Sequence, residues 1–457
     1  MERVVDKCVE YLREHRREHL DWTIELCRIP SISTKEEHKQ DVAAAVRWTH
    51  ELCQKIGLKS RVYETDGHPA VCAEWCRAPG APTYLVYGHV DVQPTGDLAL
   101  WDAPPFEPVQ KDGWLIARGA ADDKGQVLVY LRAAAAWLAT AGKLPVNLKF
   151  LIEGEEEIAS PNLGPFVEQH RELLACDHVL ISDTGLIRDG WPTITYATRG
   201  LLYKEVRLSG PRHDLHSGSH GGVVANPANV LAALIASLHD ESGRVTIPGF
   251  YDDVVELSDE QRAQLSALPL DEKEYITSLG SPAPHGEAGY TTAERRSVRP
   301  TLDVNGIYGG FMAEGANTII PARAGAKISM RLVANQDAEK LSGVFDRTVR
   351  ERVPDTVRVE ILNHGACGAY MAPRDSQPMK AAERALREAF GKETALMPEG
   401  GSLPILPMFK RLLGVDCLLI GLASPSCNAH GPNEKVLLAD LDRGAEAVAR
   451  LFGYLAG

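Results

Sequence analysis

The sequence predicts an α/β fold in which a mainly parallel sheet is flanked by helices and interrupted by an inserted α+β domain. Short apolar strands such as Thr83–Gly88 alternate with amphipathic helices near the start of the chain, an order typical of a parallel sheet covered on both faces. Further along, strands alternate polar and apolar residues, and the first pattern then returns. We expect one domain from residues 1–195 and 377–457, and a second from residues 196–376.

The first domain is predicted from helical periodicity and from its breakers. Apolar residues recur at helical spacing up to Cys27, and Pro30 ends that segment. Glycine follows two further helices, Ala43–Ile56 and Gln126–Ala141. The other expected elements are strands at Val146–Ile152, His178–Ser182 and Val415–Gly421, and helices at Pro165–Leu174, Met379–Phe390 and Asp440–Leu455.

The inserted domain shows a different periodicity. Leu202–Ser209, Ala326–Val333 and Val357–Leu362 alternate polar and apolar residues, as expected of antiparallel strands with one solvated face. Pro227–Leu238 is predicted to be a helix. Residues 240–300 are polar and contain proline and glycine, and their pattern favours no single element.

Composition excludes several classes of protein. The chain has 49 basic and 62 acidic residues, a net charge of −13, which argues against nucleic-acid binding. Its nine cysteines form no pattern typical of a disulfide framework or a cysteine-based zinc ribbon. The longest apolar stretch, around Leu128–Leu138, is too short to span a membrane, and the N-terminal residues do not resemble a secretory signal. We expect a cytoplasmic protein with neither nucleic-acid nor membrane partners.

Ionisable residues cluster where predicted strands end. In open α/β sheets the ligand crevice lies at the carboxyl ends of the strands. Each residue alone has an ordinary explanation, such as a helix cap or a solvated turn, but their shared placement favours one site. The residues are His89 and Asp91 after the first of these strands, Glu156 and Glu157 after the second, Asp183 after the third, His430 in a later loop, and Asp122 and Asp123 just before a helix.

Carboxylates that converge in a crevice repel one another unless protons or cations offset their charge. Imidazole nitrogens mixed with carboxylate oxygens suit zinc or manganese. Two metal ions that share one carboxylate would relieve the repulsion most simply, and paired ions are a recurring device for hydrolysis. The residues therefore predict a two-metal hydrolytic site.

Seven motifs in this chain resemble, in order, those of the co-catalytic zinc metallopeptidases. That family includes carnosinase, cytosolic nonspecific dipeptidase, PepV-type dipeptidases, carboxypeptidase G and succinyl-diaminopimelate desuccinylase. The motifs are GHVDVQP (Gly88–Pro94), RGAADDKG (Arg118–Gly125), EGEEEIAS (Glu153–Ser160), ISDTG (Ile181–Gly185), DLHSGSHGG (Asp214–Gly222), EGGSLP (Glu399–Pro404) and NAHGPNE (Asn428–Glu434).

The resemblance implies two divalent metal ions per subunit, zinc or alternatively manganese. It implies that Asp122 bridges both ions and is followed by a cis peptide bond. His89 and Asp183 would complete one metal position, whereas Glu157 and His430 would complete the other. Residues 1–195 and 377–457 would then be the catalytic domain that binds the metals.

The resemblance also assigns catalytic and substrate-binding roles. Glu156 would act as general base on a water that bridges the metals, and Asp91 would fix the ring of His89. The inserted domain would serve as a lid and for dimerisation, and His216 would reach the active site of the partner subunit in a homodimer. Arg331 would bind a free C-terminal carboxylate of the substrate. The other residues that match substrate-binding positions are Thr318, Gly401 and Ser402, and His364 is a weaker match.

Three features resemble the dipeptidase branch. They are the sequence GHVDVQP, an aspartate rather than a glutamate at Asp183, and a long inserted domain. We therefore expect hydrolysis of dipeptides with a free C-terminal carboxylate. Two alternatives of the same fold remain: the protein is an N-acyl amino acid deacylase or a carboxypeptidase. A third alternative is a non-catalytic homologue that binds metal or peptide.

Overall fold

A computed structural model describes residues 1–456, which form two compact units. No disulfide bond is present among these residues, and none of the helices they form is both long and apolar enough to cross a membrane. Unit 1 consists of Met1–Tyr196, Ala372–Met397 and the residues from Met408 onward; unit 2 consists of Ala197–Met371 and Pro398–Pro407.

Helix ends follow local capping chemistry. Ser376 and Asp337 each accept a hydrogen bond from a backbone N–H in the first turn of the helix that follows. Gly142 and Gly391 end two helices in the left-handed conformation, at φ of 66° and 68°. The helices are α1 (Glu2–Glu14), α2 (Arg16–Cys27), α3 (Lys39–Lys55), α4 (Lys124–Ala141), α5 (Leu163–Gln169), α6 (Arg171–Leu174), α7 (Ser217–His220), α8 (Pro227–Ala236), α9 (Asp259–Ser266), α10 (Glu272–Ser278), α11 (Thr292–Ser297), α12 (Ala338–Arg352), α13 (Gln377–Phe390), α14 (Ile405–Leu413) and α15 (Leu438–Leu455).

The strands include buried apolar ones, such as Thr83–His89 in unit 1, and exposed ones, such as Val109–Lys111 in the same unit. They are β1 (Lys59–Tyr63), β2 (Ala70–Trp75), β3 (Thr83–His89), β4 (Val109–Lys111), β5 (Trp114–Ile116), β6 (Asn147–Glu153), β7 (His178–Ile181), β8 (Thr193–Thr198), β9 (Gly200–Ser209), β10 (Leu215–His216), β11 (Thr301–Gly309), β12 (Ile319–Ile320), β13 (Arg323–Leu332), β14 (Arg358–Cys367), β15 (Tyr370–Met371), β16 (Ala395–Glu399), β17 (Asp416–Gly421) and β18 (Lys435–Leu437).

The main sheet of unit 1 is parallel at its centre and antiparallel towards its edges. Seven of its nine strands follow the order β1-β2-β6-β3-β7-β17-β8, and β15 and β16 each pair with β8. The pairs β6–β3, β3–β7 and β7–β17 are parallel, whereas β1–β2, β2–β6 and β17–β8 are antiparallel. The central strands are almost wholly buried, because helices such as α4 pack on the sheet.

The register of the parallel strands positions the site. His89 lies opposite Glu153 at the ends of β3 and β6, and Tyr87 lies opposite Ile181 at the end of β7. Ile181 in turn pairs with Leu419 near the end of β17. The residues after these strands therefore emerge at one edge of the sheet.

Unit 2 contains an antiparallel sheet in the order β11-β13-β9-β14. Helices α8 and α12 pack on one face, and the inward side chains form an apolar core. Strands β10 and β12 form a separate short pair. Core residues include Leu202, Val206, Leu231, Leu234, Ile328, Met330 and Phe345.

The predicted fold class is confirmed, and three expectations about elements need correction. The first helical segment is two helices, which separate at His15 where the backbone leaves helical geometry. The helix expected at Pro165–Leu174 is likewise divided into α5 and α6 at His170. The strand expected to end at Leu362 continues through a bulge to Cys367.

Candidate metal centre and active site

Three side chains from separate segments of unit 1 meet in one group. His89 ends β3, Asp183 follows β7, and Asp122 precedes α4. His89 Nε2 lies 3.2 Å from Asp122 Oδ1 and 3.9 Å from Asp183 Oδ2. One nitrogen or oxygen of each residue lies within 4.8 Å of the others, a spacing that allows all three to bind one metal ion.

A second group forms beside the first. His430 Nε2 lies 3.0 Å from Asp122 Oδ2 and 3.3 Å from Glu157 Oε2, and the three residues again meet within 4.8 Å. Glu157 lies in a short 3₁₀ turn after β6, and His430 lies in the loop between β17 and β18. The backbone of His430 is left-handed, with φ of 63°, so this residue adopts an uncommon conformation where its side chain meets the carboxylates.

Asp122 belongs to both groups. Its Oδ1 faces His89 and its Oδ2 faces His430, so the two oxygens of one carboxylate point towards different imidazoles. The peptide bond between Asp122 and Asp123 is cis, as predicted. Two oxygens that face different imidazoles are expected of a carboxylate that bridges two metal ions.

The donor set fits divalent cations. His89 is fully buried. Although Asp122 Oδ1 lies 3.2 Å from its Nε2, Nε2 makes no hydrogen bond of good geometry among residues 1–456, whereas a buried ring nitrogen normally makes one. Nδ1 of the same ring faces Asp91, 3.2 Å from its carbonyl oxygen, which leaves Nε2 available as a ligand atom. Two imidazoles and three carboxylates of this kind suit zinc or manganese.

The electrostatics of the centre favour positive charge. Hydrogen bonds to Asp122 and Glu157 raise the pKa of His430 to about 10. Burial, and then the neighbouring Asp122, raise the pKa of Asp183 to about 7. Burial also opposes ionisation of Asp122, but His430 and His89 outweigh it and hold the pKa of Asp122 below its usual value. The carboxylates thus draw protons or cations into the centre.

Glu156 and Asp91 lie beside the ligands. Glu156 is half-buried and belongs to neither ligand group among the described residues; burial is the main reason that its pKa is raised to about 8. The carboxylate of Asp91 accepts hydrogen bonds from the backbone N–H groups of Glu156, at 3.2 Å, and Glu157, at 3.0 Å. Asp91 therefore holds the turn that carries both glutamates, in addition to facing the ring of His89.

The residues predicted in unit 2 form two local pairs. Arg331 Nη1 donates a hydrogen bond of 2.7 Å to Ser402 Oγ, and Gly401 immediately precedes this serine. His216, at the end of β10, lies opposite Ile319 of β12. Ser217, which follows His216, donates its backbone N–H to the carbonyl of Thr318. His364 instead contacts Glu205 Oε2 at 2.7 Å through its Nε2.

Sequence reasoning missed two supporting residues. Gln93 donates a hydrogen bond of 2.8 Å from its side-chain amide to Glu157 Oε2. Arg199 donates its backbone N–H to Gly401 and its Nε to Gly400, and so fixes the loop that carries Ser402. The sequence does not indicate the role of either residue, because a lone amide or guanidinium does not reveal its hydrogen-bond partner. The position of Gln93 inside the motif GHVDVQP was the one available clue.

Known proteins match this chain over most of its length. The model of peptidase family M20/M25/M40 matches residues 85–453. Beta-Ala-His dipeptidase of Homo sapiens is 31% identical, over 98% of this chain and 92% of its own. Cys-Gly metallodipeptidase DUG1 of Saccharomyces cerevisiae is 31% identical, over 93% of each chain.

A solved structure agrees with these matches. The M20 family metallo-carboxypeptidase Sso-CP2 from Sulfolobus solfataricus has a TM-score of 0.85 and is 33% identical, over 96% of this chain and 99% of its own. The predicted resemblance to the metallopeptidase family and the prediction of a hydrolase are therefore confirmed. This chain belongs to peptidase family M20/M25/M40.

Proposed function

We propose that this protein hydrolyses the peptide bond of dipeptides that carry a free C-terminal carboxylate, with two divalent metal ions, zinc or alternatively manganese, in each subunit. The observation that carries the proposal is that Asp122 presents one carboxylate oxygen to each of two ligand groups. His89 and Asp183 would hold one ion with it, and Glu157 and His430 would hold the other. Dipeptidases among the relatives support the same substrate class.

Two bound cations would lower the pKa of water and polarise the scissile carbonyl. Glu156 would take the proton of the attacking water and return it to the leaving amine. Its position supports this role, since Asp91 fixes the backbone of Glu156 in the turn that also carries Glu157. The proposed base Glu156 and the proposed ligand Glu157 thus lie in one turn that Asp91 restrains.

Arg331 is proposed to bind the C-terminal carboxylate of the substrate. A guanidinium group pairs with a carboxylate through two parallel hydrogen bonds. The contact between Arg331 and Ser402 supports this role, because Ser402 restrains the guanidinium at one nitrogen. Thr318 is proposed to bind the substrate, and Gly401 and Ser402 are proposed to contact the substrate backbone.

We propose a homodimer in which unit 2 mediates dimerisation and His216 stabilises the oxyanion in the active site of the partner subunit. Strand β11 forms one edge of the unit 2 sheet, and an edge strand can pair with another chain. Ile307 on this strand is 65% exposed, and Met312 just beyond it is 75% exposed. Exposed apolar residues beside a sheet edge support an interface between subunits.

A substrate panel tests the proposed function. The metal-loaded protein is expected to cleave free dipeptides, and Arg331→Gln is expected to lower their kcat/KM by a factor of about 10 to 150, because a charge-assisted hydrogen bond contributes about 1.5–3 kcal/mol. Dipeptide amides, which lack the carboxylate, should be affected little by this change. The matched control is Arg323→Gln, on the same strand but exposed, and it should behave like the parent.

The panel also separates the alternatives. Cleavage confined to N-acyl amino acids would indicate a deacylase, and removal of the last residue from longer peptides would indicate a carboxypeptidase, the activity named for Sso-CP2. If the protein binds metal but hydrolyses none of these compounds, the non-catalytic interpretation is correct and the proposal is wrong.

Mixed dimers test the role of His216. His216→Ala and Glu156→Ala homodimers are each expected to be inactive. After subunit exchange, a heterodimer would combine one intact metal centre with one partner histidine, and random mixing of equal amounts should restore about a quarter of the parental activity. Exchange is verified with differently tagged subunits. Verified heterodimers without activity would contradict a contribution from the partner subunit.

A further inference from the structure

Glu434 is connected to the segment that carries the bridging aspartate. It is fully buried, and its Oε2 accepts hydrogen bonds from Arg118 Nη1 at 2.6 Å and from the backbone N–H of Gly119 at 2.9 Å. Its Oε1 accepts from the backbone N–H groups of Ala121 at 2.9 Å and Asp122 at 3.0 Å. One carboxylate thus accepts hydrogen bonds from three backbone amides of this turn, those of Gly119, Ala121 and Asp122. Buried backbone N–H groups require such acceptors.

Arg118 extends this connection to two other loops. Its side chain is 1% exposed, and its Nη2 donates hydrogen bonds of 3.1 Å to the carbonyls of Pro94 and Gly431. Pro94 lies in the loop after His89, whereas Gly431 directly follows His430. The guanidinium also lies over the ring of Trp101, 5.4 Å from its centroid, a favourable cation–π distance.

The ion pair therefore joins the backbones that carry several metal-binding side chains, without touching those side chains. Because the charges of Arg118 and Glu434 cancel, the pair adds no net charge beside a cluster of carboxylates. Loss of one partner would leave the other charge buried without compensation, which is costly. The amides of Gly119, Ala121 and Asp122 would lose their acceptor as well.

We infer that Arg118 and Glu434 are positioning residues for the candidate metal centre: Glu434 fixes the backbone of Asp122, and Arg118 fixes the backbone beside His430. The inference depends on the proposed metal centre but not on the identity of the substrate. Outer partners of metal ligands typically contribute 10- to 100-fold to metal affinity. Here the partners act on ligand backbones rather than on ligand side chains.

The test is a metal titration of the full-length protein against a competing chelator, with zinc as the probe. Glu434→Gln is expected to weaken zinc affinity by about 10- to 100-fold, because the amide cannot accept at both ends. The matched control is Glu446→Gln, which removes the charge of another carboxylate paired with an arginine, Arg13, in unit 1. This control should lower the unfolding temperature but leave zinc affinity unchanged.

A second variant protects the test against misfolding. Arg118→Lys keeps the positive charge beside Glu434 but loses the planar fork that reaches Pro94 and Gly431, and about tenfold weaker zinc binding is expected. Zinc affinity within twofold of the parent in either folded variant would overturn the inference, and so would failure of both variants to fold, which would assign the pair to fold stability. If the parent protein itself binds no zinc, the proposed metal centre is wrong. If the parent binds zinc but cleaves no dipeptide, only the proposed function is contradicted.

Discussion

Replacement of Glu156 by glutamine is expected to lower kcat for dipeptide hydrolysis by a factor of about 10² to 10⁴, the range contributed by a positioned general base. The metal content should stay at the parental level, because Glu156 belongs to neither ligand group. The amide has nearly the same shape as the carboxylate but cannot accept the proton of the attacking water. Kinetics and metal analysis on the same preparation check both parts of this expectation.

Glu155→Gln is the matched control for this prediction. Glu155 precedes Glu156 in the chain and is buried, but its carboxylate accepts hydrogen bonds from the backbone of His68 and from the side chain of Asn162. An amide oxygen can replace one of these acceptors, so kcat should change little. A Glu156→Gln enzyme as active as this control would exclude Glu156 as the base.

Replacement of Asp122 by alanine is expected to have the largest effect on metal binding. It removes the carboxylate shared by both groups, so zinc affinity should fall by more than about 100-fold at both positions, since even outer partners contribute 10- to 100-fold. Hydrolysis should become undetectable. Metal content after gel filtration would then drop from two ions per subunit to less than one.

Thermal unfolding gives an independent measurement of the same prediction. Zinc at about 100 times its dissociation constant should stabilise the parent by about 2.7 kcal/mol for each bound ion, and Asp122→Ala should abolish most of this gain. Asp183→Ala provides the comparison, because Asp183 belongs to one group alone and its loss should leave one position able to bind. Parental zinc stabilisation in the Asp122→Ala protein would contradict a bridging role.

The residues of the two candidate ligand groups could be predicted from the sequence because strand ends are visible in it. Apolar runs mark the parallel strands, and the geometry of a parallel sheet brings the residues that follow them to one edge. His89, Asp183 and Glu157 follow this rule directly. Asp122 needed the additional clue of the helix that begins after it, and the family resemblance supplied the division into two groups.

Backbone partners could not be predicted in this way. Asp91 was expected to fix the ring of His89, but its carboxylate also accepts the N–H groups of Glu156 and Glu157. Every residue carries the same amide, so a sequence does not reveal which amide a buried carboxylate will meet. The contacts of Glu434 escaped prediction for the same reason.

The segment of residues 240–300 resisted interpretation for a different reason. Its helices α9, α10 and α11 are short, and isolated helices of this length are marginal. Tertiary contacts stabilise the segment: the guanidinium of Arg299 pairs with Glu287 at 2.8 Å and lies over the ring of Tyr290 at 4.1 Å from its centroid. Such contacts depend on the folded arrangement rather than on local periodicity.

The carboxylate shared by the two ligand groups limits how this site could be redesigned. Any rotation of Asp122 that suits one cation would shift the oxygen offered to the other, so the preferences of the two positions cannot be tuned separately through this residue. A variant that prefers different elements at the two positions would have to be built from the residues that belong to one group alone, which are His89 and Asp183 in the first and Glu157 and His430 in the second.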